Sequence, residues 1–117
     1  MPGILRFFSG LEFPYDLPPG IDVLHPFQED SVLHLVEKFY TKYYRDQNKR
    51  IWLIGINPGR FGAGVTGIPF TDPIRLQEKL GIPNDLVKKA ELSSRFIHEM
   101  IDHVGGAGIF FSKFYIT

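Results

Sequence analysis

The chain has 117 residues, thirteen basic and thirteen acidic side chains, and no cysteine. That length suits one domain and not two. The balanced charge announces no polyanionic partner, although a basic patch can sit inside a neutral total, and the missing thiols exclude disulfides, a cysteine nucleophile and thiolate-bound metal.

In chain order, the first expected element is a short helix over Ile4–Phe8; Pro14, Pro18, Pro19 and Gly20 then keep the next stretch irregular. From Ser31 the apolar residues Val32, Val36, Phe39, Tyr40, Tyr43 and Tyr44 mark one face of a helix, with Asp30 as its expected N-cap. Residues 45–50 read as a polar exit. Ile51–Ile56 is a continuous apolar run, which predicts a strand buried on both faces of a parallel sheet. Thr71-Asp72-Pro73 predicts the start of a helix that runs to about Leu80 and stops at Gly81. Ser93 or Ser94 is expected to cap a further helix, buried through Phe96, Ile97, Met100, Ile101 and Val104 and ended by Gly105. Gly108–Ile116 reads as a second strand. The whole is an α/β pattern in a single domain, residues 1–117. Two parallel strands and these helices cannot cover both faces of a sheet, so the chain is expected to be the first part of a longer protein; an ordered C-terminal edge strand is the alternative. The longest apolar run is far too short for a membrane span, and the N-terminus lacks a secretory core and cleavage site, so the expected setting is the cytoplasm.

The segment most concerned with function follows the first strand. GINPGRFGAGVTGIPF, residues 55–70, holds five glycines, two prolines, two phenylalanines and one asparagine. Gly62–Gly67 matches G-x-G-x-x-G, but the match neither follows the strand directly nor opens a long helix, and Pro69 comes two residues after the third glycine. A phosphate loop would also need a lysine, and none lies between Lys49 and Lys79. Turn formation accounts for one or two of the glycines, such as Gly59 after Pro58. Five in one loop fit a backbone approached closely by a ligand, at the carboxyl end of a strand, where open α/β sheets bind ligands. Asn57 is the first polar side chain there; it is either a ligand-facing group or a turn residue bonded to its own backbone. His98 and His103 fall five apart, about 140° around a helix, so they cannot share one ion. They read as solvated helix positions, and Lys88-Lys89 and Lys49-Arg50 as solvated faces rather than DNA contacts. His25 and His34 have no partner evident from the sequence.

Gly55-Ile56-Asn57-Pro58-Gly59, then Phe61-Gly62, then Thr66-Gly67-Ile68-Pro69-Phe70, resembles the first active-site motif of the single-strand-selective monofunctional uracil-DNA glycosylases, within the uracil-DNA glycosylase superfamily. Glu91-Leu92-Ser93-Ser94-Arg95-Phe96 resembles that family's helix start, and Phe110–Thr117 the strand leading into its uracil-recognition motif. The resemblance runs from Val32 to Thr117, and the form with Arg60 and Thr71-Asp72-Pro73 is similar to a bacterial branch. It implies a three-layer, parallel-sheet fold, incomplete here, of which this chain is the N-terminal half. It implies excision of uracil and some 5-modified uracils from DNA in base excision repair, with no metal and no cofactor. Asn57 would position the attacking water, and Phe70 would stack on the flipped base. Gly55 and a backbone amide near Ile56 would meet the uracil edge, and Gly59 would leave room that a bulky tyrosine fills in other branches. Arg60 would contact DNA. The family's uracil-pairing asparagine, catalytic histidine and DNA wedge have no counterpart within these residues, so the chain alone is expected to be inactive and to self-associate.

This chemistry also suits the residues themselves. Breaking an N-glycosidic bond releases a base anion; it needs a dry pocket, a held water, donors for the anion and an extruded base. Two other readings remain open at this level: a nucleotide- or phosphate-binding α/β module using the glycine loop, and a non-catalytic fragment that associates with another chain.

Overall fold

The computed structural model describes residues 3–117. In chain order the elements are α1 (Gly3–Ser9), a 3-10 turn at Pro26–Gln28, α2 (Asp30–Tyr43), β1 (Ile51–Leu53), α3 (Ala63–Thr66), α4 (Pro73–Glu78), α5 (Leu92–His103), α6 (Ala107–Lys113) and β2 (Phe114–Ile116). The result is a mixed fold of helices around one small parallel sheet. β1 and β2 pair in the register Ile51–Phe114, Trp52–Tyr115 and Leu53–Ile116. The pairing continues past β1, where the Gly55 amide donates to the Thr117 carbonyl and the Thr117 amide to Leu53.

The core is organised on α2. Its apolar spacing places Val32, Leu35, Val36, Phe39 and Tyr40 on one buried face. Phe39 is fully buried and its ring lies within 5.6 Å, centroid to centroid, of Tyr40, Tyr43, Tyr44 and Phe111. Leu5 of α1, Leu76 and Leu80 around α4, Ile101 of α5 and Ile116 of β2 complete the cluster. Glu29, not Asp30, occupies the N-cap of α2 and makes no side-chain capping bond. Asp30 instead opens the helix, where its charge faces the positive end of the helix dipole.

Three expectations need correction. First, Ile51–Ile56 is not a doubly buried strand: only Ile51–Leu53 pairs, and Trp52, Ile54 and Ile56 are 66%, 75% and 99% exposed. The helices lie over β2, and among the described residues no strand flanks the outer edge of β1. Second, Gly108–Ile116 is mostly helical. Phe110 and Phe114 stack across one turn at 5.0 Å while Phe111 turns into the α2 aromatics, and an apolar run of this length does not distinguish strand from helix by periodicity. Third, α5 buries Ser94, His98 and Ile101, while Phe96 is 67% exposed and Val104 also faces outward. Two polar residues take the inward face because partners on the preceding loop satisfy them. Arg50 is no solvated cation either. Its guanidinium donates to the Phe111 and Tyr43 carbonyls, forks onto Asp46 and lies over the Tyr44 ring, closing the turn between α2 and β1.

Candidate functional site

After β1 the chain leaves the sheet at Gly55 and turns through residues 56–62. Most of the amides that follow are engaged internally. Gly62 and Gly64 donate to the Gly59 carbonyl, Val65 and Thr66 to that of Gly62, and Gly67 to Ala63. These bonds wind α3, a single turn that Gly67 ends in the left-handed region at φ 70°. A side chain there would also meet Val36 at 2.7 Å and Phe27 at 3.0 Å, so both conformation and space call for glycine. The Thr66 hydroxyl, fully buried, bonds the Thr71 carbonyl at 2.7 Å and accepts from the Ile68 amide, locking the loop onto its own return.

Phe70 stands at the end of this lock. It is the only non-glycine residue with positive φ, 50°, among the described residues. Left-handed backbone is costly for a bulky residue and persists only where its surroundings determine it. Those surroundings are visible on the next two residues. Thr71 Oγ1 and His98 Nε2 share a 3.0 Å hydrogen bond. The Asp72 amide donates to Ser94 Oγ at 2.9 Å. The Asp72 carboxylate is fully buried; it accepts from the Arg75 amide at the start of α4, from the Arg75 guanidinium, and from the Glu91 amide at the start of α5. One carboxylate therefore caps two helices, and Glu91, rather than Ser93 or Ser94, holds the α5 cap position. Burial lowers the His98 pKa to about 4, despite the opposing charges of Asp72 and Asp102.

A cavity of about 660 Å³ opens beside the loop. Gly55, Ile56, Asn57, Gly59 and Phe70 all line it, so five of the six positions singled out in the sequence come together. Asn57 is exposed and its Nδ2 donates to the Pro58 carbonyl at 3.2 Å, leaving Oδ1 free of a protein donor among the described residues. The Phe70 ring lies over the Gly55 backbone, 3.2 Å from where a β-carbon would stand. Arg60 lies outside the lining; its guanidinium is 5.6 Å from the Phe61 ring, which Lys89 also covers at 3.7 Å.

Two contributions escaped the sequence reading. The first is the far wall: Leu11, Phe13, Val23, Leu24 and His25 come from the irregular N-terminal stretch. His25 Nε2 donates to the Leu11 carbonyl at 2.7 Å and pins this segment, while its buried Nδ1 has no protein partner among the described residues. The available signal was the density of large apolar side chains in a stretch that prolines keep from forming any regular element. The second is Glu91, which also lines the cavity. A β-carbon on Gly59 would stand 2.9 Å from Glu91 Cδ, and one on Gly62 at 2.7 Å. With glycine at both positions the carboxylate can rest directly on the loop backbone; a β-carbon at either would push this flexible side-chain end aside. His98 and His103 do not form a metal pair: the first bonds Thr71, the second the Glu99 carbonyl. No group of three or more His, Asp or Glu suited to a metal ion occurs among the described residues. None of the helices among them is long and apolar enough to cross a membrane.

A sequence model of the uracil DNA glycosylase superfamily matches residues 41–117. Among solved structures, the chain is similar to the crystal structure of wild-type Pedobacter heparinus SMUG2, at 47% identity and a TM-score of 0.88, over 97% of this chain and 50% of that one. The chain thus spans half the length of that relative. No curated protein matches it.

Proposed function

The chain belongs to the uracil DNA glycosylase superfamily, and from that membership we propose that it forms the N-terminal half of a bacterial monofunctional glycosylase that hydrolyses the N-glycosidic bond of uracil and related bases in DNA. The observation that carries this reading over a phosphate-binding one is the state of the glycine loop. Five of its six amides from Gly62 to Gly67, all but that of Ala63, are bonded within the loop, and a carboxylate rests on Gly59 and Gly62. A phosphate cradle needs a run of free amides and positive potential; here the turn around Gly62–Gly67 spends most of its amides on itself and carries a carboxylate on its glycines. It presents an apolar, aromatic wall, which suits a flat, uncharged base.

Within this reading, Phe70 stacks on the extruded base, held by the Thr66–Thr71–His98 and Asp72 contacts. Gly55 and the Ile56 amide meet the base edge, and Gly59 keeps that side of the pocket open. Asn57 holds the attacking water through its free Oδ1. A neutral amide can do this because the base leaves as an anion that donors stabilise, so neither covalent nucleophile nor metal is required. Arg60 contacts a DNA phosphate at the lip of the cavity. A second half packs over the exposed Trp52, Ile54 and Ile56 of the β1 strand and its continuation, extends the sheet into a three-layer fold and closes the pocket. That exposed apolar row and the half-length match to the solved relative support this extension. The proposed setting is DNA repair in the bacterial cytoplasm.

Competition separates the two ligand classes. Full-length protein should bind a single-stranded oligonucleotide with one uracil more tightly than its thymine counterpart, and millimolar ATP or NAD should leave that preference unchanged. Binding of ATP that is lost when Gly62 is replaced would establish the loop as a nucleotide site instead.

A further inference from the structure

We propose that Glu91 is a specificity-determining residue of this cavity: its carboxylate, resting on the bare backbone of Gly59 and Gly62, accepts a hydrogen bond from a donor on the bound base and so selects donor-bearing bases over equally shaped ones. The inference rests on the reading of the cavity as a base pocket and adds to it the one charged acceptor that lines the loop side.

Three observations support it. The main chain of Glu91 is anchored, because its amide donates to the buried Asp72 carboxylate at 2.8 Å, and the Ser93 hydroxyl holds one carboxylate oxygen. The loop is bare where the carboxylate lies, since a β-carbon at either glycine would collide with it. The carboxylate is also under-used. Its only side-chain partner is the Ser93 hydroxyl, which donates to Oε1 at 3.0 Å, and no protein donor reaches Oε2 among the described residues. No cation comes within ion-pair distance of it among those residues either. A carboxylate in a mostly apolar cavity rewards a ligand donor and repels a phosphate, and hydrogen bonds to a charged acceptor are roughly twice as strong as neutral ones. The same geometry assigns Gly59 and Gly62 a second task, which is to admit the carboxylate.

The test measures equilibrium binding of the full-length protein to single-stranded oligonucleotides that carry one central base. Two shape-matched pairs add a donor at different edges: 5-hydroxymethyluracil against 5-ethyluracil, and 2-aminopurine against 2-methylpurine. Wild type should prefer the donor-bearing member of at least one pair by roughly tenfold. Glu91→Gln keeps the shape and removes the charge; Glu91→Asp keeps the charge and withdraws it by one methylene. Both should bring the ratio close to one, whereas a merely structural role would weaken both members alike and leave the ratio intact. A wild-type ratio near one, or a ratio unchanged in both variants, overturns the role of Glu91 alone, provided that the bases still bind better than an abasic oligonucleotide. If none of them does, the base-pocket reading itself falls, and this inference with it.

Discussion

Phe70 is where residue chemistry and proposed function diverge most usefully. A left-handed aromatic costs on the order of 1–3 kcal/mol, and Phe70 pays it while half-buried against the core. Phe70→Gly removes the ring and the strain together. Its folding stability should therefore fall by no more than about 1–2 kcal/mol, since relief of strain offsets lost packing. Binding of a uracil-containing strand should lose roughly 1–3 kcal/mol, the worth of one base–aromatic stack. Urea unfolding and oligonucleotide titration on the same variant decide it; a loss of ~3–5 kcal/mol in stability with intact binding would make Phe70 a core residue. Gly59 yields a second residue-scale prediction. Because the flexible end of Glu91 occupies its side-chain space, Gly59→Ala should displace the carboxylate at a cost below about 1 kcal/mol, and that cost should vanish in the Glu91→Ala protein, a coupling that a four-protein unfolding cycle would read. Gly55, Asn57, Gly59 and Phe70 could be found from sequence because one continuous loop carries them. Glu91 could not, because its place depends on a cap supplied from another helix, by a residue nineteen positions away.

Among the elements, α4 was legible and α5 only half so, for the same physical reason. Asp72-Pro73 is a local signal: the Asp72 side chain accepts from the Arg75 amide and Gly81 takes a left-handed φ of 65° just past the end. The buried face of α5 depends on tertiary partners that rescue Ser94 and His98, and hydrophobic periodicity cannot register a polar residue whose bonds come from elsewhere. Asp72→Ala should unfold the junction of both helices, costing about 2–4 kcal/mol, as two caps of ~1–2 kcal/mol each are lost. Denaturant midpoints would measure it, and a loss below about 1 kcal/mol would contradict the shared cap. His98 adds a pH dependence. Its folded pKa is lowered to about 4 from an ordinary 6.5, so the unfolded chain takes up a proton over a range where the folded one does not. This contribution is fully present above pH 6.5, declines as pH falls toward 4, and is flat below that. The total is on the order of 3 kcal/mol. His98→Gln should lack that component; an identical pH profile in the two proteins would contradict it.

At the scale of the whole molecule, the sheet was foreseen as parallel but not as so small or so open. Ile51–Ile56 has the composition of a central strand, and composition reports the surroundings a strand is built for. In residues 3–117 those surroundings are present for β2 and missing for the outer side of β1, where Trp52, Ile54 and Ile56 stay exposed. An unpaired apolar edge promotes association, so the isolated chain of residues 1–117 should self-associate with rising concentration in sedimentation experiments, and Ile54→Lys should reduce this. A strictly monomeric chain would count against a missing layer over β1. The central claim is that the loop at the end of this strand presents an uncharged base to a water held by Asn57. It is tested most directly by the single-turnover rate of free uracil release from a single-stranded oligonucleotide, comparing full-length wild type with Asn57→Ala. The wild type should release uracil and leave an uncut strand with an abasic site, and the variant should do so ~10²-fold or more slowly, with DNA affinity little changed because phosphate contacts dominate it. No release by the wild type, or equal rates in the two proteins, would contradict it.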